Sequence, residues 1–192
     1  MIADAVYVTV GACWLGLLAI VVIGKRGAAR GAQQRDPKSM LGMLLQCVGY
    51  AICFAAYRPQ FGALFPMPRN GAIALGSFTI AIALASAWLC YAAARALGKH
   101  WALMARVIEG HELVSSGPYA IVRNPIYLAM LGMEIATGLA ISRWWAIVAG
   151  IIIFLIGTDI RIRSEERILR AAFGAKFEDY ARRVPALLPR PF

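Results

Sequence analysis

Residues Asn124 to Arg161 read NPIYLAMLGMEIATGLAISRWWAIVAGIIIFLIGTDIR, and the fold turns on how this stretch meets a bilayer. Ile126 to about Ile141 and Trp144 to Ile160 are two apolar runs, parted only by Ser142-Arg143. So short a break predicts a helical hairpin, with Trp144 and Trp145 as interfacial anchors. A hairpin brings the chain back to the membrane face it left. The polar segment before it, about 95–124, and the charged tail after it, 161–192, can then meet on that face.

The remainder of the chain agrees with a membrane setting. Its 192 residues suit one domain spanning 1–192. They are 60% hydrophobic and only 16% charged, with a mean hydropathy of +0.65. Water-soluble domains are about half apolar and a quarter charged, so this composition is too apolar for water. The net charge of +10 would suggest nucleic acid in a soluble protein. Here the basic residues lie between apolar runs, which points to membrane lipids and topology control, with no nucleic-acid partner. The Met-Ile-Ala-Asp-Ala start lacks the basic leader of a secretory signal, so the first apolar run is expected to stay as a transmembrane helix. Cys13, Cys47, Cys53 and Cys90 all fall inside apolar runs without CxxC or His spacing, so packing roles are expected and no metal site.

Working outward, the expected spans are 5–23, 40–57, 72–94, 126–141 and 144–160, each long and apolar enough to approach or cross the hydrocarbon core. Only Gln46 interrupts the second. The third is rich in Ala, Ser and Gly, which permits close helix packing. Seventeen Lys and Arg residues fall in the first and third connectors and the tail; three, Arg58, Arg69 and Arg143, fall in the other two connectors. This asymmetry predicts an all-α bundle of five transmembrane helices with the N-terminus outside and the tail cytoplasmic. Segments 95–125 and 161–192 would form the cytoplasmic site. No strand-like alternation, glycine-rich nucleotide fingerprint or internal repeat is present, which argues against a soluble Rossmann domain and an inverted-repeat transporter.

Within the polar segment, Ser115-Ser116-Gly117-Pro118 has turn composition. Asn124 followed by Pro125 reads as a helix N-cap with Pro at the first helical position. Such a helix start favours an anionic group, with Arg123 beside it as a guanidinium donor. Beyond the hairpin, Arg161 and Glu165 are four residues apart on a continuing helix and share a face. Glu134 lies mid-span, seven residues from Tyr127 and on its face; an ionisable group at that depth is a site candidate, here on the substrate side.

The run GHELVSSGPYAIVRNPIY, residues 110–127, resembles the signature of the isoprenylcysteine carboxyl methyltransferase family and its phospholipid methyltransferase relatives. That signature is approximately Gly-His-x-Leu-Val-x-x-Gly-x-Tyr-x-x-x-Arg-His-Pro-x-Tyr. The tail RIRSEERILRAAFGAKFEDYARRVPALLP, residues 161–189, resembles the family's C-terminal region in its Arg, Glu-Glu, Phe-Gly, Tyr and Val-Pro landmarks. The resemblance implies an integral membrane methyltransferase that uses S-adenosylmethionine and releases S-adenosylhomocysteine. It implies cofactor contacts from His111, Leu113, Val114, Gly117, Tyr119, Asn124, Pro125 and Tyr127, with Glu165 closing the site from the tail. Arg161 would face a lipophilic or prenylated acceptor, and Arg123 would serve beside it as a second catalytic guanidinium. Where the family has His after the Arg, this chain has Asn124, which can hydrogen-bond but cannot titrate; the expectation is cofactor binding there, not proton transfer. The implied setting is a bacterial or archaeal-type cell membrane.

Two other classes fit parts of the pattern. A membrane reductase using NADPH would need a nucleotide-phosphate pocket, and a non-catalytic protein docking its basic tail on anionic lipid would bind no cofactor. The two motifs, in order around one hairpin, favour the methyltransferase.

Overall fold

A computed structural model describes residues 1–27, 37–58, 61, 68–98 and 113–188. Among these residues the chain is all-helical: α1 (Ile2–Gly27), α2 (Pro37–Ala55), α3 (Arg69–Leu97), a short 3-10 turn (Gly117–Ala120), α4 (Pro125–Ile141), α5 (Trp144–Phe173) and α6 (Ala175–Arg183). Four of these helices, α1, α2, α3 and α5, are long and apolar enough to cross a membrane. The expected fourth span, α4, has 17 residues and so rises only about 25 Å, short of the roughly 30 Å hydrocarbon core.

Position explains how so short a helix is tolerated. α4 is apolar around its whole circumference, and Ala129, Met133, Glu134 and Ala136 are completely buried. A helix with no polar face belongs inside a bundle. α3 and α5 flank it, with further contacts from α1 and α2, so its ends are sheltered by longer neighbours. Lipid-facing residues are instead carried by the outer helices, among them Val8, Leu15, Phe78, Trp88 and Ile152.

The hairpin forms as expected, and the end of α2 together with the residues just after it bolts its turn. Arg58 donates through its guanidinium to the carbonyl oxygens of Leu139, Ala140 and Ser142, and through its backbone N–H to Ile141 at 2.8 Å. These are the carbonyls a helix C-terminus leaves without partners. Ser142 Oγ donates back to the Cys53 carbonyl at 2.7 Å. Trp144 and Trp145 are exposed beside this turn, where interfacial anchors belong.

α2 and α5 run antiparallel and touch backbone to backbone through two glycine pairs. A Cβ on Gly42 would sit 2.6 Å from the Gly157 carbonyl oxygen, and one on Gly49 would sit 2.8 Å from that of Gly150. Close approach through small residues is a general device for membrane helices, though the sequence pointed to it in α3. Gly49→Val is therefore expected to lower the unfolding temperature in detergent markedly, because overpacking costs about 1–3 kcal/mol even before backbone contact is counted. Gly11→Val, which would meet nothing within 4 Å, should leave it unchanged. Equal midpoints for the two variants would contradict this packing.

Candidate functional site

The two polar segments do meet. A cavity at the end of α4 and α5 is lined by Leu97, Leu113, Val114, Tyr119, Arg123 and Asn124 from the first segment and its approach. Glu165, Glu166, Leu169, Phe173, Phe177 and Tyr180 line it from α5 and α6. It is open to one side and has a volume of about 90 Å³. Aromatic and aliphatic side chains make most of the wall, with carboxylates at its floor.

Local sequence explains how the loop presents these groups. Gly117 takes φ +60°, a left-handed conformation that glycine adopts without strain, and Pro118 follows at the start of the 3-10 turn. Tyr119 is thereby turned inward and is only 8% exposed. Its carbonyl accepts from the Tyr180 hydroxyl at 2.6 Å, joining the loop to α6. Burial raises both phenols above their ordinary pKa, Tyr180 to about 12, so both remain neutral donors at physiological pH.

Arg123 and Asn124 continue that seam. The Arg123 backbone N–H donates to the Pro185 carbonyl at 2.9 Å, and Asn124 Nδ2 donates to the Ala186 carbonyl at 2.8 Å. The Arg123 guanidinium donates to Glu166 Oε1 through Nε at 2.9 Å and Nη2 at 2.6 Å. Its Nη1 reaches the carbonyls of Ala181, at 2.8 Å, and Val184. Four of its five N–H donors are therefore committed within the protein. Arg123 thus acts as a clamp on the tail, with little capacity left for a ligand.

Asn124 does occupy the cap position before α4, with Pro125 at the first helical residue. Its side chain, however, makes no capping hydrogen bond and spends its amide on the tail. That geometry asks for an N–H donor and no titrating group, which accounts for an amide serving here.

Glu165 stands at the centre of the polar floor. The Tyr127 hydroxyl donates to its Oε1, and Arg161 Nη2 lies 3.5 Å from the same oxygen. The Arg161 guanidinium stacks over the Tyr127 ring, 4.9 Å from its centre. Tyr127 and Arg161 do not line the cavity; they stand behind Glu165 and hold it. Pro125 is buried in the helix start behind the cavity.

One expected residue falls elsewhere, and another, His111, lies outside the described residues. Glu134 is fully buried away from the cavity, where a Cβ on Gly49 or Gly150 would come within 2.9–3.0 Å of its Oε1. Neither carboxyl oxygen has a hydrogen-bond partner among the described residues. Phe177 and Tyr180 of α6 also line the cavity; the Phe-Gly and Tyr landmarks of the tail mark this helix, but neither residue was expected at the site.

Residues 73–176 match the model of the phospholipid methyltransferase family, more than half of the chain and including both polar segments' junction. The chain belongs to that family. Among curated relatives, methanethiol S-methyltransferase 2 of Bradyrhizobium diazoefficiens is 40% identical over 89 residues, 44% of this chain and 32% of that protein. A cobalt-zinc-cadmium resistance protein of Cupriavidus metallidurans is 38% identical over 100 residues, 49% of this chain and 44% of the relative. Protein-S-isoprenylcysteine O-methyltransferase B of Arabidopsis thaliana is 32% identical over 81 residues, 42% and 41% of the two chains. The matched part thus spans less than half the length of each of these family relatives. Among the described residues no cluster of His, Cys, Asp and Glu could hold a metal ion.

Proposed function

We propose that this protein transfers a methyl group from S-adenosylmethionine to a lipophilic acceptor, a carboxylate, thiol or amine, at the cytoplasmic membrane face. The observation that carries this reading is Glu165, partly buried at the floor of a largely apolar cavity and aimed by Tyr127 and Arg161. The donor set fits the cofactor. Glu165 can accept from its amine or ribose hydroxyls, and Leu113, Val114, Phe173 and Phe177 offer apolar walls to an adenine.

When bound, S-adenosylmethionine supplies a sulfonium methyl, which an acceptor lone pair takes in line while the carbon–sulfur pair returns to sulfur, leaving S-adenosylhomocysteine. What the chain must add is alignment and exclusion of water. Tyr119 and Asn124 hold the loop and tail over the site, Gly117 gives that loop its turn, and His111 is proposed as a further cofactor contact. Arg161, at the boundary between this floor and the bundle, orients the acceptor's polar head. The acceptor itself arrives from the bilayer. Five crossings, with α4 as the sheltered short one, place both polar segments in the cytoplasm under the charge asymmetry.

The test is calorimetry of the detergent-solubilised protein with S-adenosylhomocysteine, paired with incubation of its membranes with isotope-labelled S-adenosylmethionine and mass spectrometry of the products. Saturable binding and one labelled lipophilic product are expected. A folded sample that binds NADPH and not S-adenosylhomocysteine would move the protein to the reductase class; one that binds neither would make it a lipid-binding module.

A further inference from the structure

A second cavity, of about 320 Å³, lies at the other end of α4 from the Glu165 site. α1 packs on α3 and α4 but scarcely touches α2, and the cavity is the groove left between them. Gly11 and Trp14 of α1 form one wall, Phe54 and Tyr57 the other, and Thr137 and Ile141 of α4 the floor. Gly11 keeps the groove open, since a Cβ there would meet nothing within 4 Å. Gly11 and Phe54 are both exposed, so the groove faces the hydrocarbon around the bundle. Trp14 shuts its inner end: the indole N–H donates to Thr137 Oγ1 at 3.0 Å, and the ring meets that of Tyr50 edge-on with centres 5.0 Å apart. Thr137 Oγ1 donates in turn to the Met133 carbonyl at 2.7 Å. At the mouth, Tyr57 is exposed and bridged through its backbone to Ser142. Arg143 follows, exposed beside Trp144 and Trp145 and in no ion pair among the described residues.

The depth of the groove has nothing to hold water, which settles in a buried site only where several polar groups receive it. Thr137 and Trp14 are already spent on each other, and the remaining walls are apolar. A groove of this kind that opens on lipid is filled by hydrocarbon. The aromatic rings at its mouth suit the membrane interface, and an exposed guanidinium there complements a phosphate. We propose that the groove binds a membrane glycerophospholipid that is not the methyl acceptor: one acyl chain lies between α1 and α2 on α4, and the phosphate meets Arg143 beside Tyr57. A chain entering from the interface stops at Trp14. Thr137 is ten residues from Tyr127, about 15 Å of helix, so such a lipid stays clear of the Glu165 site. It joins α1 and α2, which precede the segment matched by the family model, to α4, which lies within it.

The experiment takes the full chain, delipidated in detergent, and follows its unfolding midpoint as dioleoylphosphatidylglycerol or dioleoylglycerol is added. The phospholipid should raise the midpoint by roughly 5–10 °C at saturation and bind about tenfold more tightly than the diglyceride. Gly11→Leu fills the groove and should weaken the phospholipid's binding about tenfold, with S-adenosylhomocysteine affinity unchanged. Gly16→Leu, on the same helix and equally open but outside the groove, should respond to lipid as the wild type does. Arg143→Gln should bring the phospholipid down to the diglyceride's affinity. In the wild-type protein, a phosphatidylglycerol with a photoreactive acyl chain should cross-link within residues 7–14, 54–57 or 137–141. An unchanged lipid response in Gly11→Leu, or cross-links confined to other segments, overturns the site. An equal response of the wild type to both lipids overturns the contact with Arg143. Displacement of the phospholipid by N-acetyl-S-farnesylcysteine would give the groove to an acceptor, and a two-chain complex that lipid dissociates would give it to a second copy; either overturns the proposal. A protein that shows this lipid response but fails to bind S-adenosylhomocysteine sinks the methyltransferase reading alone.

Discussion

Glu165→Gln is expected to weaken S-adenosylhomocysteine binding about 10- to 100-fold while leaving the unfolding midpoint within a few degrees of the parent. The substitution keeps the side chain's shape and one acceptor oxygen, which the Tyr127 hydroxyl can still use. What it removes is the charge that strengthens hydrogen bonds from a ligand's amine or hydroxyls. Hydrogen bonds to a charged partner are worth about 1.5–3 kcal/mol, and about 1.4 kcal/mol is tenfold in affinity. Glu165→Ala should cost more than 100-fold, because the Tyr127 hydroxyl and the Arg161 guanidinium both lose the oxygen that orients them. Glu178→Gln provides the comparison: Glu178 is exposed, pairs with Arg170 on the outside of the tail and should leave binding unchanged. Calorimetry on the three variants decides the matter. An affinity for Glu165→Gln within twofold of wild type would remove Glu165 from the cofactor site.

The parts of this picture that were legible in the sequence are those set by local pattern. Hydropathy marks α1, α2, α3 and α5 because each must match the bilayer by its own composition. The Ser142-Arg143 break announces the hairpin for the same reason, and the hairpin brings the Asn124 loop and the Glu165 helix together. The role of α4 was harder to read. Its apolar sequence resembles a span, but its shortness is tolerated only through packing against four neighbours, which no window along the chain contains. Likewise, Gln46 in an apolar run signals a buried polar contact without saying with what; its partners lie 112 and 115 residues away. Arg123 shows the opposite case. Its position beside a helix start advertises an anion donor, yet tail carbonyls 58 and 61 residues downstream take that capacity. Motifs name the residues at a site; which of them face the ligand and which hold the frame depends on contacts across the fold.

That division of labour makes Arg123 the residue whose loss should cost most in stability. It is the point where three pieces of chain converge: the loop before α4, Glu166 on α5, and the carbonyls that end α6. Its side chain and that of Glu166 are only 12% and 10% exposed, so their pairing is far less screened than a surface ion pair. Removing one partner of such a buried pair costs about 3–5 kcal/mol, because the other is left without compensation. Glu166 would keep a contact to Arg170 Nη2 at 3.1 Å, which places the expected cost toward the lower end of that range. For a chain of this length about 3 kcal/mol corresponds to a fall of roughly 6–12 °C in the unfolding midpoint of Arg123→Met. Arg123→Lys should recover little of it, since one ammonium cannot serve a carboxylate and two carbonyls in the fork geometry of a guanidinium. Arg163→Met is the informative comparison. Arg163 pairs with Asp159 at 2.7 Å, but both side chains are more than half exposed, and an ion pair of that kind contributes little. If Arg123 instead acts mainly on substrate, Arg123→Met will keep its midpoint and lose only turnover. If it clamps the tail, protease will cut within residues 174–188 of the variant faster than in wild type, and saturating S-adenosylhomocysteine will slow that cleavage, because the cofactor site includes the same tail.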